Sequence, residues 1–297
     1  MLRPSIIIPV FNRPDCLRRA LTSVQRQTCP YLECLIIDDN STTDIRSVVD
    51  EFKDSRFRYL RRDHKGGPYA ARVTGYQEVQ GDFICNLDSD DEFFPWALDQ
   101  ARRHLEDTPS VDGVIGLRLR SYDSRLLVRV RGVERYVTPR DACTESLIPD
   151  RVGAVRRIVV EEWLQKRNDY FAFEIHQWLT YALHHDQLYV DEPWIRCHMD
   201  APDRVSNQMP SSQRLDDFVK FLGEHRSYVE TQESVSLDEI VIMAYVALKR
   251  ARRPEAALAA DALKARGLSR SGAFVRQLEQ KVKRKLRPRS NDAIRWL

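Results

Sequence analysis

Apolar residues in the first 117 positions alternate between two spacings. A short β-branched run predicts a strand at 5–10, and short apolar or aromatic runs predict further strands at 34–37, 57–60, 83–87 and 111–117. Between these runs apolar residues recur at helical spacing, and the clearest set is Leu17, Ala20, Leu21 and Val24. Further helices are predicted near 45–52, 68–79 and 95–106, with Ser41 and Asp44 as a capping box for the 45–52 helix. Strands alternating with helices in this way indicate an α/β fold with a doubly wound, mostly parallel sheet.

The pattern changes beyond residue 117. Residues 117–131 are typical of a hairpin, and 188–190 and 194–199 of short strands. After Pro210 the spacing is helical, with helices predicted near 212–230, 236–252, 254–266 and 270–286. We therefore expect a sheet-containing domain over 1–210, divided near 117, and an all-helical C-terminal region over 211–297.

Composition favours a folded protein. Of the 297 residues, 42% are hydrophobic and 31% are charged, so a packed core is expected rather than disorder. No apolar run approaches the ~18 residues of a membrane span, and Pro9 interrupts the N-terminal run, which predicts no signal peptide. The six cysteines form no C-x-x-C pair, which argues against a zinc ribbon and fits a reducing cytoplasm.

Charge is distributed unevenly along the chain. Residues 249–297 carry 15 Lys or Arg and 4 Asp or Glu, a net charge of +11, which leaves −8 for the remainder. The basic tail at 281–289 suggests an anionic partner such as a membrane surface. A solvated helix face is the alternative, and nucleic acid is disfavoured because no recognised reading motif accompanies the charge.

Polar residues follow the predicted strands at the edge where open α/β sheets bind ligands. Asp38-Asp39-Asn40-Ser41 follows the second strand, and the segment 88–92 after the fourth strand has four acids in five positions. Such dense negative charge is self-repelling, and a divalent cation with oxygen ligands, Mn²⁺ or Mg²⁺, would relieve it. The alternative is an acidic loop that caps the helix near residue 95.

Three segments taken together resemble the family 2 inverting nucleotide-sugar glycosyltransferases, which have the GT-A fold. The segments are SIIIPVFNR, ECLIIDDNSTTD and GGPYAARVTGYQEVQGDFICNLDSDDEFFP. The resemblance is close over residues 4–120 and fades by about 205. It implies a nucleotide-binding half over about 1–117 and an acceptor half over about 118–210.

The resemblance assigns a nucleoside pocket to the first two strand ends. Pro9, Phe11 and Asn12 match the motif that lines this pocket, with the Phe11 ring near the base. Asp39 matches the acid that accepts a hydrogen bond from uracil. Uracil and thymine carry an N3–H donor whereas cytosine N3 is an acceptor, so an aspartate selects a UDP-sugar, with a dTDP-sugar as the alternative.

The resemblance also implies a diphosphate and metal site. Asp88 and Asp90 match the Asp-x-Asp motif that holds the metal against the diphosphate, with Ser89 between them as a donor-binding residue. Arg72 matches the arginine near the diphosphate, although Val73 replaces the asparagine that often follows it. Further along the chain, His198 is a candidate metal ligand or a structural histidine, and Arg204 is a candidate diphosphate contact.

The catalytic base is assigned by the same comparison. Many members carry a Glu-Asp pair at a helix start, and here the stretch has Phe173 and Glu174, with Trp178 four residues on. Glu174 falls at the position of the base, where it would deprotonate the acceptor hydroxyl. A helix-start glutamate without this role is the alternative, and Asp169 and Glu161 are fallback bases.

We therefore expect a cytoplasmic, metal-dependent inverting glycosyltransferase that moves a sugar to a hydroxyl acceptor on a polysaccharide, glycolipid or glycoprotein. The acceptor is a glycan, lipid-linked or protein group, and the basic tail suggests peripheral contact with the inner face of the membrane. A non-catalytic nucleotide- or glycan-binding module on the same fold is the alternative. The absence of glycine in 11–14 disfavours a nucleotidyltransferase and a dinucleotide-dependent dehydrogenase.

Overall fold

A computed structural model describes residues 1–120, 135–137, 152–166, 185–198, 212–224, 226–231, 241–242, 244–246, 248–249 and 251–267. The chain divides into two compact units, Met1–Asp200 and Ala201–Leu297.

The first unit contains a nine-stranded sheet. Its strands are β1 (Pro4–Val10), β2 (Glu33–Asp38), β3 (Phe57–Arg61), β4 (Phe83–Asn86), β5 (Asp91–Phe93), β6 (Gly113–Arg120), β7 (Arg135–Val137), β8 (Val152–Arg156) and β9 (Gln187–Cys197). Its helices are α1 (Pro14–Gln25), α2 (Ile45–Asp50), α3 (Gly67–Glu78), α4 (Ala97–Asp107) and α5 (Arg157–Lys166).

The strand order is β3-β2-β1-β4-β8-β6-β9-β5, and β7 also pairs with β9. The four strands β3, β2, β1 and β4 are all parallel, as are β6 and β9. Strand β8 is antiparallel to both β4 and β6, and β5 and β7 are antiparallel to β9. The predicted doubly wound sheet with parallel strands is therefore confirmed for the first half of the domain, and antiparallel strands extend it.

Helices cover both faces of the parallel strands. Ile6 and Ile8 lie in a buried cluster with apolar residues of α1, α2 and α4, whereas Ile7 lies in a second cluster with residues of α3 and α5. This alternation is the two-residue period of a strand that is buried on both faces. At Gly75 an added Cβ would lie 2.7 Å from Ile7 Cγ2, so glycine permits the close approach of α3 to β1.

Local expectations for the later strands compare with the structure as follows. The predicted strands at 188–190 and 194–199 form the single strand β9, in which Pro193 lies opposite Leu117 at an irregular register. The acidic segment, for which a helix-capping loop was the alternative to a metal site, ends in strand β5, which pairs with β9. The predicted hairpin at 117–131 begins as strand β6, and its remainder lies outside the described residues.

The predicted capping box of α2 is also wrong. Helix α2 begins at Ile45, so Asp44 is the N-cap residue, and its side chain accepts a hydrogen bond from Ser47 N at 3.0 Å. Ser41 lies too far upstream to cap the helix, and its hydroxyl accepts instead from Asn12 N at 2.9 Å. The Ser41 side chain therefore joins two loops.

The second unit is helical in its described parts. Helices α6 (Ser212–Glu224), α7 (Arg226–Thr231) and α8 (Ala256–Ala265) are present, and the described residues within 241–249 are also helical. The predicted helix at 270–286 and the basic tail lie outside the described residues. Among the helices the structure describes, none is long and apolar enough to cross a membrane.

Candidate active site

The loops after β1 and β2 are joined by Asn12. Its backbone lies in the left-handed region, with φ of 53°, which is tolerated by asparagine. Asn12 Oδ1 accepts hydrogen bonds from Thr42 N at 2.8 Å and from Thr43 N at 3.2 Å. The side chain predicted to line the nucleoside pocket therefore orders the β2–α2 loop.

The two consecutive aspartates at the end of β2 have different surroundings. Asp38 is fully buried and accepts from Ser41 N at 2.8 Å, Tyr59 Oη at 2.7 Å and Arg61 Nη1 at 3.1 Å. Burial and this hydrogen bond to Asp38 together raise the pKa of the Tyr59 hydroxyl. Asp38 thus organises the strand ends from inside the protein.

Asp39 faces the other way, toward the β3–α3 connection. Its buried carboxylate accepts hydrogen bonds from Arg62 Nη1, from Gly66 N at 2.9 Å and from Gly67 N at 2.6 Å. Gly66 and Gly67 begin helix α3, whose N-cap glycine has no capping side chain of its own. Asp39 therefore supplies the negative charge that a helix N-terminus favours.

The β3–α3 connection also contacts the end of β1. Lys65 Nζ lies 3.7 Å from the centre of the Phe11 ring, a cation–π contact. Pro9 is buried within β1, opposite Ile37 of β2. Phe11 and Asp39, both predicted to meet the base, are thus contacted by the same short connection.

Asp88 lies beyond β4 between two arginines. Arg72 Nη2 contacts Asp88 Oδ1, and Arg118 Nη2 lies 3.5 Å from Asp88 Oδ2. Burial of the carboxylate opposes its ionisation, but the charges of Arg72 and Arg118 outweigh this and lower the pKa of Asp88 to about 2. About a third of the Asp88 side chain remains exposed.

The next two acids in the segment are also paired. Asp90 is buried and lies 3.3 Å from Arg13 Nη1, and its carbonyl accepts from Arg19 Nη2 at 3.1 Å. Asp91 is fully buried, forms an ion pair with Arg118 and accepts from His198 N at 3.1 Å. Burial, joined by the neighbouring charge of Asp88, raises the pKa of Asp91 although Arg118 opposes the shift.

His198 pairs with a residue other than those predicted. Its Nε2 lies 2.7 Å from Glu92 Oε2, and Arg196 Nη1 lies 3.8 Å from the same oxygen. Within the described ranges, no three His, Cys, Asp or Glu side chains are grouped so that they could hold a metal ion. Asp88, Asp90 and His198 therefore do not form a three-residue metal site.

The argument from self-repulsion of the acidic segment is wrong. Each acid has a cationic neighbour supplied by a different element: Arg13 before α1, Arg72 on α3, Arg118 on β6 and Arg196 on β9. These neighbours are distant in sequence, so the charge density of the segment alone did not reveal them. Ser89, between the two motif aspartates, is buried.

Sequence analysis overlooked several arginines of this region. Arg118 lies in β6 between apolar Leu117 and Leu119, and strand alternation alone would place it on the opposite face of the sheet from them. The register of β6 against β9 is irregular between Leu117 and Arg118, which the sequence did not indicate. Arg62 lies one position beyond β3, at the edge that was searched for ligand-binding residues. The sequence positions of Arg62 and Arg118 did not indicate that their guanidinium groups would pair with the motif carboxylates.

Several predicted residues lie outside the described part of the chain. These are the proposed base Glu174, its fallback Asp169 and the candidate diphosphate contact Arg204. The other fallback, Glu161, lies on α5 with Arg157 Nε 3.4 Å from its carboxylate. Its side chain is partly exposed on a helix whose Trp163 packs against Tyr69 and Tyr76.

Comparison with solved structures supports the fold. The chain superposes on Staphylococcus aureus TarS residues 1–349 in complex with UDP-GlcNAc with a TM-score of 0.69 at 16% identity, covering 96% of this chain and 88% of that one. It also superposes on the mannosyltransferase PcManGT from Pyrobaculum calidifontis, in complex with GDP-Man and Mn²⁺, with a TM-score of 0.57 at 18% identity, covering 96% and 81%. These similarities confirm the expected GT-A fold.

Curated relatives match about a third of the chain. A Campylobacter jejuni GalNAc(5)-diNAcBac-PP-undecaprenol beta-1,3-glucosyltransferase is 39% identical over 101 residues, 33% of each chain. The Escherichia coli UDP-Glc:alpha-D-GlcNAc-diphosphoundecaprenol beta-1,3-glucosyltransferase WfgD is 39% identical over 87 residues, 29% of this chain and 34% of its own. The matching segment thus spans about a third of the length of these relatives.

The matched segments contain the strand ends described above. The family model described as glycosyl transferase family 2 matches residues 5–157, which include Asp39, Arg72, Asp88 and Asp90. This match covers more than half of the chain, and with it the sequence motifs, the sheet order and the paired acids at the strand ends agree. The chain belongs to glycosyl transferase family 2.

Proposed function

We propose that this protein transfers a sugar from a UDP-sugar, with a dTDP-sugar as the alternative, to a hydroxyl group of a lipid-linked saccharide. The main observation in support is that one helix, α3, contacts both of the predicted donor subsites. The first turn of α3 donates to Asp39, and Arg72 on the same helix contacts Asp88. The two contacts are separated by about 8 Å along the helix axis, which leaves room for a ribose between base and diphosphate.

Recognition of the diphosphate is supported by the arginines. Arg72 and Arg118 are both mostly buried, and both contact the partly exposed Asp88. A guanidinium group offers several donors in a fixed plane, which suits phosphate oxygens. Arrival of the diphosphate would give Arg72 a second anionic partner without requiring it to leave the site.

A divalent cation fits these residues as a partial site. Asp88 and Asp90 offer hard oxygen ligands, and Mg²⁺ or Mn²⁺ commonly takes one or two carboxylates together with substrate phosphates. The residues of this chain would thus supply part of the ligand set, and His198 is engaged with Glu92 instead. When bound, such a cation acts as a Lewis acid that stabilises the charge of the departing nucleoside diphosphate.

The chain's own residues would perform a single displacement. Glu174, identified from sequence, would take the proton of the acceptor hydroxyl as that oxygen forms its bond to the anomeric carbon. The bond between the anomeric carbon and the phosphate oxygen breaks, and UDP leaves with its electron pair. Arg72 would hold the diphosphate in place during this step, and inversion of the anomeric centre follows from one displacement.

The acceptor proposal comes from the relatives. The C. jejuni and E. coli proteins are named for transfer to undecaprenol diphosphate-linked saccharides. A lipid-linked acceptor is also consistent with the basic tail at 281–289, which lies outside the described residues. Each basic residue near an anionic bilayer would contribute about 1 kcal/mol to binding. Equal flotation on anionic liposomes with and without residues 276–297 would refute this role of the tail.

Thermal unfolding with nucleotides tests the proposed donor. The melting temperature is measured with UDP, dTDP, CDP and GDP, each with and without Mn²⁺. A ligand at 100 times its dissociation constant stabilises the folded state by about 2.7 kcal/mol, which raises the melting temperature measurably. We expect a Mn²⁺-dependent rise with UDP or dTDP. No rise with any nucleotide would contradict the proposal and favour a binding module that has lost its donor pocket.

A further inference from the structure

Arg62 forms an ion pair with Asp39, the residue whose carboxylate is predicted to recognise the base. It follows β3 directly, and its Nη1 donates to Asp39 Oδ1. The side chains of Arg62 and Asp39 are 17% and 4% exposed, so the pair is largely removed from water. The backbone of Arg62 is held by a hydrogen bond from Arg62 N to Asp38 O at 2.9 Å.

The position of this guanidinium is sterically defined. A Cβ added to Gly66 would lie 2.7 Å from Arg62 Nη1 and 2.9 Å from Arg62 Nη2. The guanidinium group therefore lies directly over the Gly66 backbone, where any larger residue would displace it. Gly66 and Asp39 together hold the Arg62 head group in one place.

The acceptor capacity of Asp39 is already used. An ionised carboxylate offers about four lone-pair sites. Oδ1 accepts from Arg62 and Gly66, and Oδ2 accepts from Gly66 at 3.1 Å and from Gly67 at 2.6 Å. A base that donates to Asp39 must therefore replace an existing donor. The two amides belong to the start of α3, so Arg62 is the donor that side-chain rotation alone can move.

We infer that Arg62 is a specificity-determining residue for the donor base, an inference that rests on the proposed UDP-sugar donor. Uracil would insert its edge between Asp39 and Arg62. Its N3–H would donate to Asp39, and a carbonyl oxygen beside N3 would accept from Arg62. Asp39 would thus exchange the Arg62 donor for the N3–H donor, and Arg62 would exchange the Asp39 acceptor for a carbonyl acceptor. Neither buried charge is left without a hydrogen bond.

This arrangement discriminates between bases by polarity. Cytosine N3 is an acceptor and would face the Asp39 carboxylate, which has no proton to donate when ionised. The N4 amino group of cytosine would similarly face the Arg62 donors if it took the place of O4. Guanine presents N1–H beside O6, the same order as N3–H beside O4 in uracil. Polarity at this pair therefore discriminates against cytosine but not against guanine.

The same connection reaches the ring that is predicted to lie near the base. Lys65, three residues after Arg62, has its Nζ 3.7 Å from the centre of the Phe11 ring. Residues 62–66 therefore contact both Asp39 and Phe11. The base site is formed by this connection as well as by the ends of β1 and β2.

Binding of modified nucleotides tests the inference in the full-length protein. Dissociation constants of UDP, 2-thio-UDP and 4-thio-UDP are measured calorimetrically for the wild type and for Arg62→Met. Sulfur is a weaker acceptor than oxygen, so the thio analogue that removes the Arg62 contact should bind the wild type about 10-fold more weakly. Arg62→Met should bind UDP about 10-fold more weakly as well, and should not distinguish UDP from that analogue.

Arg103→Met is the matched control. Arg103 is an exposed arginine of α4 that pairs with Asp99 at 2.7 Å. This variant should retain the wild-type preference for UDP over the thio analogue. Thermal unfolding without nucleotide is measured for both variants. If Arg62→Met does not fold, the comparison of UDP with the two thio analogues in the wild type decides the matter.

The outcomes separate this inference from the proposed function. Wild-type protein that binds UDP but loses no affinity for either thio analogue overturns the role of Arg62. If one thio analogue binds more weakly than UDP by the same factor in the wild type and in Arg62→Met, the role of Arg62 is also overturned. The effect of sulfur would then arise from a contact other than the one with Arg62. Wild-type protein that binds neither UDP nor dTDP refutes the proposed donor itself.

Discussion

The two ends of the parallel strands both contain mostly buried carboxylates, but the donors that satisfy them differ. At the amino end, Glu33 of β2 accepts from Ser5 Oγ at 2.5 Å, Gln80 N at 2.5 Å and Gly81 N at 3.0 Å. Among the residues that the structure describes, one charged partner contacts it, Arg58 at 3.2 Å. These contacts join β1, β2 and the turn before β4.

At the carboxyl end the acids that follow β4 are satisfied mainly by arginines. Asp88 contacts Arg72 and Arg118, and Asp90 contacts Arg13. A main-chain amide cannot move away from its acceptor unless the turn that contains it unfolds. A guanidinium group, in contrast, can rotate and donate hydrogen bonds to a second anion. The amino end is therefore built for stability, and the carboxyl end retains cations that a diphosphate can share.

The same contrast appears in the ionisation of the two ends. Burial opposes ionisation of Glu33, but the Ser5 hydroxyl and the Gln80 and Gly81 amides outweigh it and lower its pKa. Burial also opposes ionisation of Asp88, but there the charges of Arg72 and Arg118 lower the pKa, to about 2. The lowered pKa of Glu33 at the amino end therefore comes mainly from hydrogen bonds, whereas that of Asp88 at the carboxyl end comes mainly from neighbouring charges.

The largest effect is expected from Asp90→Ala at the carboxyl end. Loss of this acid should lower the rate of sugar transfer by about 1,000-fold, because stabilisation of the leaving group contributes about 4 kcal/mol. The rate of UDP release from the donor that the wild type uses provides the measurement. Asp15→Ala is the control, since its side chain is 94% exposed and pairs with Arg18. Near-normal turnover of Asp90→Ala would contradict the proposed metal role.

A substitution at the amino end should separate stability from function. In Gly81→Ala the new Cβ would lie 2.5 Å from Ser5 Oγ and 2.6 Å from Arg3 O, and the backbone oxygen cannot move aside freely. We expect a loss of about 2–3 kcal/mol in the free energy of unfolding, with UDP affinity unchanged in the folded protein.

Gly113→Ala is the matched control for Gly81→Ala. Its new Cβ would have no neighbour closer than 3.5 Å. Denaturant unfolding of the two variants should therefore differ clearly. Equal stability would mean that the turn at Gly81 relaxes without cost, and that the amino end is less rigid than its hydrogen bonds indicate.

The pH dependence of stability should report on Glu33. Because its folded-state pKa is lowered, its contribution is fully present above the unfolded-state pKa and is lost as pH falls through the folded value. Glu33→Gln should cost about 2 kcal/mol at pH 7 and less below about pH 4. Urea unfolding at several pH values provides the measurement. Glu78→Gln, at a half-exposed partner of Arg58, is the control and should change the free energy of unfolding at pH 7 by less than Glu33→Gln does.

The smallest effect is expected from the cap of α2. Asp44→Ala removes the acceptor for Ser47 N and should lower the free energy of unfolding by about 1 kcal/mol. Asp44→Ser keeps a capping oxygen and should restore most of this loss. Both are compared by denaturant unfolding. A loss in the alanine variant that the serine variant does not recover would show that the charge of Asp44, and not its capping bond, stabilises the loop.

Much of the first domain half could be predicted because its signals are local. The β-branched runs of β1 and β2 and the helical spacing of Leu17 and Val24 each lie within a single element. The motif acids Asp39 and Asp88 were also identified, since residues directly after parallel strands share one edge of the sheet. The continuity of β9 was missed because Pro193 reads as a break in sequence, although in space it lies at an irregular register.

The sequence by itself determined the alternation of strands and helices, the position of the acids at the strand ends and the family to which the chain is similar. Only the tertiary structure decided which cation meets each acid. Arg118 reaches Asp91 across 27 residues, and Arg62 reaches Asp39 across 23. The physical reason is that side-chain charge pairing depends on distances in space, which the local spacing of a sequence does not encode. Hydrophobic periodicity, in contrast, is a property of one element and can be read before the chain folds.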